Sequence, residues 1–189
     1  MSVKLETPRL ILRQWRDADL DTWADMNADP RVMEFFPELL DRAHSDESAS
    51  SMRDRIDRDG YGLWAVEIKE SAAFAGLIGL NEMACDIPVT PKREVGWRLA
   101  FDAWGHGYAT EGAKAALQFA FDELGWDEVI AVTATINERS QRVMQRLGMI
   151  RDPAADFDHP RVPEGNPLRR HVLFRIHRER VARAVNTQA

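Results

Sequence analysis

The 189-residue chain has one cysteine, Cys85, so an intramolecular disulfide is excluded and a reducing compartment suits it. It also lacks a long apolar run. No stretch approaches the roughly 20 residues of a membrane-spanning helix, and Met1-Ser2-Val3-Lys4 leads into a strand pattern rather than a signal-peptide core. No membrane association is expected, and the protein reads as cytoplasmic. A basic surplus is missing too: 25 basic residues stand against 31 acidic ones, for a net charge of −6. Non-specific nucleic-acid binding, which runs on counterion release, has no source here, and no nucleic acid is expected as partner. A cationic partner such as a protonated amine suits the charge better. No Gly-Lys-Ser/Thr sequence occurs, which excludes a Walker phosphate loop. No internal repeat is visible, and no metal site is expected.

What is present is 44% apolar residues, enough for one domain over 1–189 with a continuous core. Residues 5–13 read as a strand. A helix over Asp17 to Met26 follows, with Asp17 or Asp19 available as cap, and Asp29-Pro30 ends it. Ser45 to Asp59 is a polar helix with a narrow apolar stripe at Met52 and Ile56. Leu63 to Ile68 and Phe74 to Leu80 form a hairpin about Glu70-Ser71, and 94–101 is the next strand. Ala113, Ala116, Leu117, Ala120, Phe121 and Leu124 recur at helical spacing. Val129 to Ala134 is a buried strand, a helix over 138–147 closes at Gly148, and His171 to Ile176 is the last strand. The segment 151–170 carries Pro153, Pro160, Pro163 and Pro167, too many for a regular element, and the tail beyond Arg183 is expected to fray. Strands and helices mix without a repeating βα unit, which indicates α/β with a mixed sheet.

Trp104-Gly105-His106-Gly107-Tyr108-Ala109-Thr110-Glu111-Gly112 joins a strand to a helix through a loop with little side-chain bulk. The N–H groups of a first helical turn and the positive end of the helix dipole favour an anion there. Glycine at 105 and 107 permits positive φ and close approach of backbone to a ligand; equally, it permits no more than a tight turn. A dinucleotide fingerprint begins at 105–107 but has Thr110 where it requires glycine.

This loop resembles the acetyl-CoA loop of the GNAT superfamily of N-acetyltransferases, Arg/Gln-x-x-Gly-x-Gly/Ala, in the register Trp104 to Ala109. Trp104 departs from the general pattern and is similar to the RimJ/RimL-like enzymes, the subgroup of ribosomal-protein alanine acetyltransferases. Two further blocks are similar to that subgroup: the opening strand Leu5-Glu6-Thr7-Pro8-Arg9-Leu10-Ile11-Leu12-Arg13, and the Asn-x-x-Ser helix from Asn137 to Met149. The resemblance implies a mixed, mostly antiparallel central sheet with a splayed strand pair and flanking helices. It implies acetyl-CoA as co-substrate and a primary amine as acceptor, either a protein N-terminus or a small molecule; a homodimer is compatible with it.

The resemblance also implies roles. The backbone of Trp97, Arg98 and Leu99 would pair with the pantetheine arm; Trp104, Gly105, His106, Gly107, Tyr108, Ala109 and Thr110 would hold the pyrophosphate; Asn137 and Ser140 would line the thiol end. Structural alternatives stand beside these: Asn137 as a helix N-cap, Ser140 as a small packing residue, Trp97 and Trp104 as packing groups. For the base, the resemblance points to Glu94, with Glu82 as alternative; His159 and His171 are unconstrained, and Phe157, His159 and Arg161 resemble a segment beside the acceptor pocket. Many superfamily members carry Tyr four residues before the helix-ending glycine as the acid for the thiolate, whereas this chain has Met144, which has no proton to donate. Ser140 then takes that place as a catalytic residue.

Freeing an α-amine of pKa near 8 at pH 7 costs about 1.4 kcal/mol and a lysine-like amine about 4.6 kcal/mol, so a weakly basic acceptor could be served through water without a strong base. A covalent route through Cys85 would need a His and an orienting group nearby, and no such pattern surrounds it. A non-catalytic acyl-CoA-binding sensor is the alternative from another class.

Overall fold

The structure is a computed structural model that describes residues 3–84 and 86–179; Cys85 and the tail expected to fray lie outside the described residues. The chain forms two compact units, residues 1–80 with 96–116 and residues 81–95 with 117–189, taken here one at a time.

In the first unit, β1 (Leu5–Glu6), β2 (Leu10–Arg13), β3 (Leu63–Ile68) and β4 (Phe74–Glu82, as far as residue 80) pair antiparallel in chain order. The expected strand over 5–13 is in fact two short ones. Pro8 has no N–H to donate to a ladder, and Thr7 closes a turn across it, its N–H donating to the Leu10 carbonyl at 3.0 Å and its Oγ1 accepting from the Leu10 N–H at 2.9 Å. Leu5 therefore folds back opposite Leu12.

Helix α1 (Leu20–Ala28) begins two residues after Ala18, behind a 3-10 turn over Asp17–Asp19. The expected cap Asp19 is used differently: it accepts from the Arg16 N–H at 2.8 Å and pairs through both oxygens with Arg13, at 2.8 and 2.9 Å. Arg13 also reaches Glu67 at 2.7 Å, so a buried ion network fixes where α1 leaves β2. Helix α2 (Arg42–Asp59) starts three residues earlier than expected because Asp41 accepts the His44 N–H at 2.9 Å. The strand β5 (Arg93–Leu99) ends where the Ala100 N–H donates to the Ala75 carbonyl at 2.9 Å, next to β4. Helix α3 (Tyr108–Asp122) lies close on the sheet through Gly112, where a Cβ would come within 2.5 Å of Ile78. Trp23, Trp64, Leu10, Leu12, Ile56 and Ile78 are fully buried around this frame.

In the second unit, β6 (Glu128–Ala134) pairs antiparallel with β9 (Arg170–His177) along its whole length. It pairs parallel with β5 at Glu94 opposite Ile130. The β1–β2, β2–β3, β3–β4, β6–β9, β7–β9 and β8–β9 ladders are antiparallel, which is the mixed, mostly antiparallel α/β arrangement expected. The segment 151–170, read as wholly irregular, also contributes: β7 (Ile150–Arg151) and β8 (Phe157–Asp158) both pair with β9. Two-residue strands carry no periodicity for a pattern to reveal. Ile87, Val89, Ile130, Phe157 and Leu173 form the core there. Helix α4 (Glu138–Arg146) follows β6 and ends before Gly148 as expected.

Candidate active site

In the first unit the glycine loop is exposed, and Gly105 and Gly107 hold φ of 80° and 81°. Both values lie in the left-handed region, where a side chain is strained. The loop is anchored at both ends. Trp104 donates from Nε1 to the Leu99 carbonyl at 2.9 Å, so this tryptophan packs against the end of β5 and holds the loop's first residue in place. At the other end α3 begins at Tyr108, leaving Tyr108, Ala109 and Thr110 in its first turn, where N–H groups have no partner within the helix.

A clamp that sequence patterns do not reveal holds this end. Arg9 donates from Nη1 to the His106 carbonyl at 3.0 Å, bonds Glu111 through Nε at 2.7 Å, and lies 4.8 Å from the Tyr108 ring centre. Thr7 donates to Glu111 at 2.6 Å, and the Arg9 N–H does so at 2.9 Å. Burial works to raise the Glu111 carboxyl, but the bonds from Thr7 and Arg9 outweigh it and hold it below the ordinary range. Its charge also suits the positive end of α3. Arg9 and Glu111 both stand in the quoted motifs, yet their pairing spans 102 positions, beyond the reach of any local spacing rule.

The loop fits a phosphate-bearing group. A Cβ on Gly105 would meet nothing within 4 Å, and one on Gly107 only Arg9 Nη2, at 3.7 Å. The glycines are thus not required by packing inside the protein, and the space beside them is open. His106 is exposed and stacks on Tyr108 at 5.4 Å. Trp97 and Arg98 are half-buried on β5, and Leu99 is buried.

In the second unit Glu94 is half-buried on β5, with one partner, the Asn81 Nδ2, at 3.4 Å from Oε2. Burial pushes its carboxyl up to about 7, and the Asn81 bond offsets only part of that. A carboxyl of this kind changes charge at neutral pH, which is where a general base needs to titrate. Glu82 is exposed at the end of β4. His159 and His171 lie side by side, their ring centres 4.9 Å apart. Burial is the main cause holding both imidazoles below their ordinary pKa.

Asn137 is the N-cap of α4. Its Oδ1 accepts from the Ser140 N–H at 3.1 Å, and its Nδ2 donates to Thr133 Oγ1 at 3.0 Å. Both ends of the amide are therefore engaged within the protein, and Asn137 sets the position of Ser140 in the first turn of the helix. Asn137→Ala is expected to cost about 1 kcal/mol of stability, as loss of such a cap does, measurable by urea unfolding. Met144 is almost fully buried. Among the described residues no helix is long and apolar enough to cross a membrane, and no group of three or more His, Cys, Asp or Glu side chains could hold a metal ion.

A mixed, mostly antiparallel sheet with a glycine loop at a helix start suits a protein that binds a phosphate-bearing group. Residues 9–150 match the acetyltransferase (GNAT) domain. The chain is 31% identical over 147 residues to the uncharacterized protein YkkB of Bacillus subtilis, covering 77% of this chain and 84% of that one. An acetyltransferase of Agrobacterium tumefaciens superposes with a TM-score of 0.75 at 26% identity, over 94% of this chain and 96% of that one. RimL, a ribosomal L7/L12 alpha-N-protein acetyltransferase solved in complex with coenzyme A, shares the fold at 11% identity, with a TM-score of 0.73 over 93% of this chain and 98% of that one. The chain belongs to the GNAT acetyltransferase family, and acetyl-CoA is its acyl donor.

Proposed function

We propose that the protein transfers the acetyl group directly to a primary amine, with acceptor and acyl donor bound together, and that Glu94 accepts the proton that the ammonium must lose. One observation supports this reading above the others: Glu94 is a carboxyl held near pKa 7 by burial. Taking a proton from an α-ammonium of pKa near 8 onto such a base is uphill by about 1.4 kcal/mol, against about 5 kcal/mol for an ordinary glutamate. A base of this strength makes relay through water alone unnecessary.

The other residues have separate work. Backbone N–H groups from Gly105 to Thr110 hold the phosphates, and the backbone of Trp97, Arg98 and Leu99 aligns the arm that leads from them. Acetyl-CoA supplies the activated acyl group. Ser140, set by the Asn137 cap, hydrogen-bonds the sulfur as it leaves, a role that the buried Met144 side chain cannot fill. Ser140→Ala is then expected to lower kcat about tenfold with little change in the KM for acetyl-CoA, because the hydroxyl acts on charge that develops in the transition state. An equal loss in cofactor affinity with kcat intact would make Ser140 a binding residue instead.

The test of the reading is thiol release from acetyl-CoA across a library of amines, including α-amino acids, polyamines, aminoglycosides and peptide N-termini. Release with an amine above the rate of hydrolysis identifies an enzyme and its acceptor. Release with none, despite acetyl-CoA binding, would leave an acyl-CoA-binding module.

A further inference from the structure

The glycine loop has a carboxylate at its mouth. Glu111 stands in the first turn of α3, where its N–H donates to the Gly107 carbonyl at 3.1 Å. A negative group there steadies the helix start, but it also opposes the phosphates that the same turn is read as holding. The opposition acts at close range. Arg9 Nη2 lies 2.6 Å from Glu111 Oε2 and 3.7 Å from the point that a Cβ on Gly107 would occupy, so the carboxylate reaches that open space well inside the roughly 8 Å over which physiological salt screens a charge.

The Arg9 guanidinium stands between the two. It bonds Glu111 Oε2 through Nε at 2.7 Å as well as through Nη2, and its Nη1 takes the His106 carbonyl oxygen at 3.0 Å. Both groups that it engages are negative, one a full charge and the other the oxygen end of a loop peptide. The tie to the fold is made by other atoms. Thr7 Oγ1 donates to Glu111 Oε1 at 2.6 Å, and the Arg9 backbone N–H donates to the same oxygen at 2.9 Å. Anchoring and neutralisation are thus divided between the two carboxylate oxygens: Oε1 fastens α3 to the turn before β2, and Oε2 meets the guanidinium.

That division separates the head group from the stability of the fold. The Arg9 side chain is 49% exposed, and an ion pair with one partner in solvent adds little to stability. Its position beside the loop is the feature that needs a function.

We propose that Arg9 is a positioning residue for acetyl-CoA: it cancels the Glu111 carboxylate and covers the His106 carbonyl, so that the loop offers its N–H groups to the phosphates without a competing negative charge. The proposal rests on the reading that the phosphates lie on this loop. Arg9 acts through Glu111 and His106 and has no contact of its own with the ligand.

Calorimetric titration with acetyl-CoA tests it. Arg9→Met keeps the stem and the backbone N–H, so Glu111 stays anchored through Oε1 with its charge uncovered. Affinity is expected to fall about tenfold or more at low ionic strength, from repulsion between like charges at short range. Adding Glu111→Gln to Arg9→Met removes the uncovered charge and should bring affinity back to within about threefold of wild type, a coupling that a double-mutant cycle measures. Arg9→Lys, which keeps the charge, should lose less than Arg9→Met. The deficit of Arg9→Met should also narrow as potassium chloride is raised from about 0.02 to about 0.5 M, because the repulsion is screened.

A double variant that stays as weak as Arg9→Met overturns the proposal, since the guanidinium would then bond the phosphates itself or merely brace the loop. A deficit that ignores salt overturns it as well and marks the loss as structural. Gly107→Val separates this inference from the reading beneath it. Lost affinity in Gly107→Val beside unchanged affinity in Arg9→Met sinks the role of Arg9 alone, whereas unchanged affinity in both removes the phosphates from the loop and the proposal with them. The readout is binding, so no result depends on which amine is acetylated.

Discussion

Glu94→Gln is expected to lower kcat/KM by about a hundredfold or more and to remove the acidic limb of its pH profile, as loss of a general base does. In the wild type that limb should fall near pH 7, because burial pushes the Glu94 carboxyl up to about 7 and only the ionised form accepts a proton. The substitution keeps the shape and the hydrogen bond with Asn81 within reach, so folding is not the variable. Two acceptors of different pKa separate the groups involved. A limb that stays near 7 with both and vanishes in Glu94→Gln is the glutamate; one that moves with the acceptor is the amine itself, served through water. A limb that stays fixed with both acceptors and survives in Glu94→Gln would sink both versions and direct attention to Glu82 or to the His159–His171 pair.

The same carboxyl makes stability depend on pH with a definite sign. Its folded pKa lies above the ordinary value of 4.5, so between those two values the folded state binds the proton more tightly than the unfolded one. Its contribution is full below about 4.5, is lost as pH rises through about 7, and is flat beyond. The loss is on the order of 3 kcal/mol. Glu94→Gln should remove that slope, so the variant is more stable relative to wild type at pH 8 than at pH 5. Opposite signs for activity and stability at one position are what a buried base produces, and they set it apart from a residue whose loss merely damages the fold.

Much of this could be read from the sequence because it is local. The glycine loop, the helix behind it, the β-branched strand 129–134 and the end of α4 at Gly148 all follow from residue type over a few positions, and the structure has each of them. What could not be read is set by distant partners or by elements too short for a period. Pro8 splits the first strand, but only the turn closed by Thr7 shows where it goes. The Arg9–Glu111 clamp joins two recognisable motifs across most of the chain. Asn137 was legible both as cap and as ligand; its amide caps α4 and bonds Thr133. Arg98 was legible only as a point on a strand. Its contacts with Trp23, Asn27 and Phe36 come from a distant part of the chain and are not visible in one dimension.

Gly107→Val is expected to reduce acetyl-CoA affinity about a hundredfold or more while the protein stays folded. The backbone there has φ of 81°, so any side chain is strained, and a β-branched one most of all. Strain alone could disturb the loop, and Gly165→Val provides the control: φ is also 81°, and a Cβ there too would enter open space. Both variants should lose similar stability, roughly 1 to 3 kcal/mol. Only the loop variant should lose the ligand, because its side chain fills the space beside the N–H groups of the helix start. Two charge-assisted hydrogen bonds forgone at about 1.5 kcal/mol or more each account for the expected factor. Calorimetric titration of both variants with acetyl-CoA reads this directly. Unchanged affinity in a folded Gly107→Val protein would remove the phosphates from this loop, and equal losses in both variants would trace the effect to general destabilisation rather than to the site.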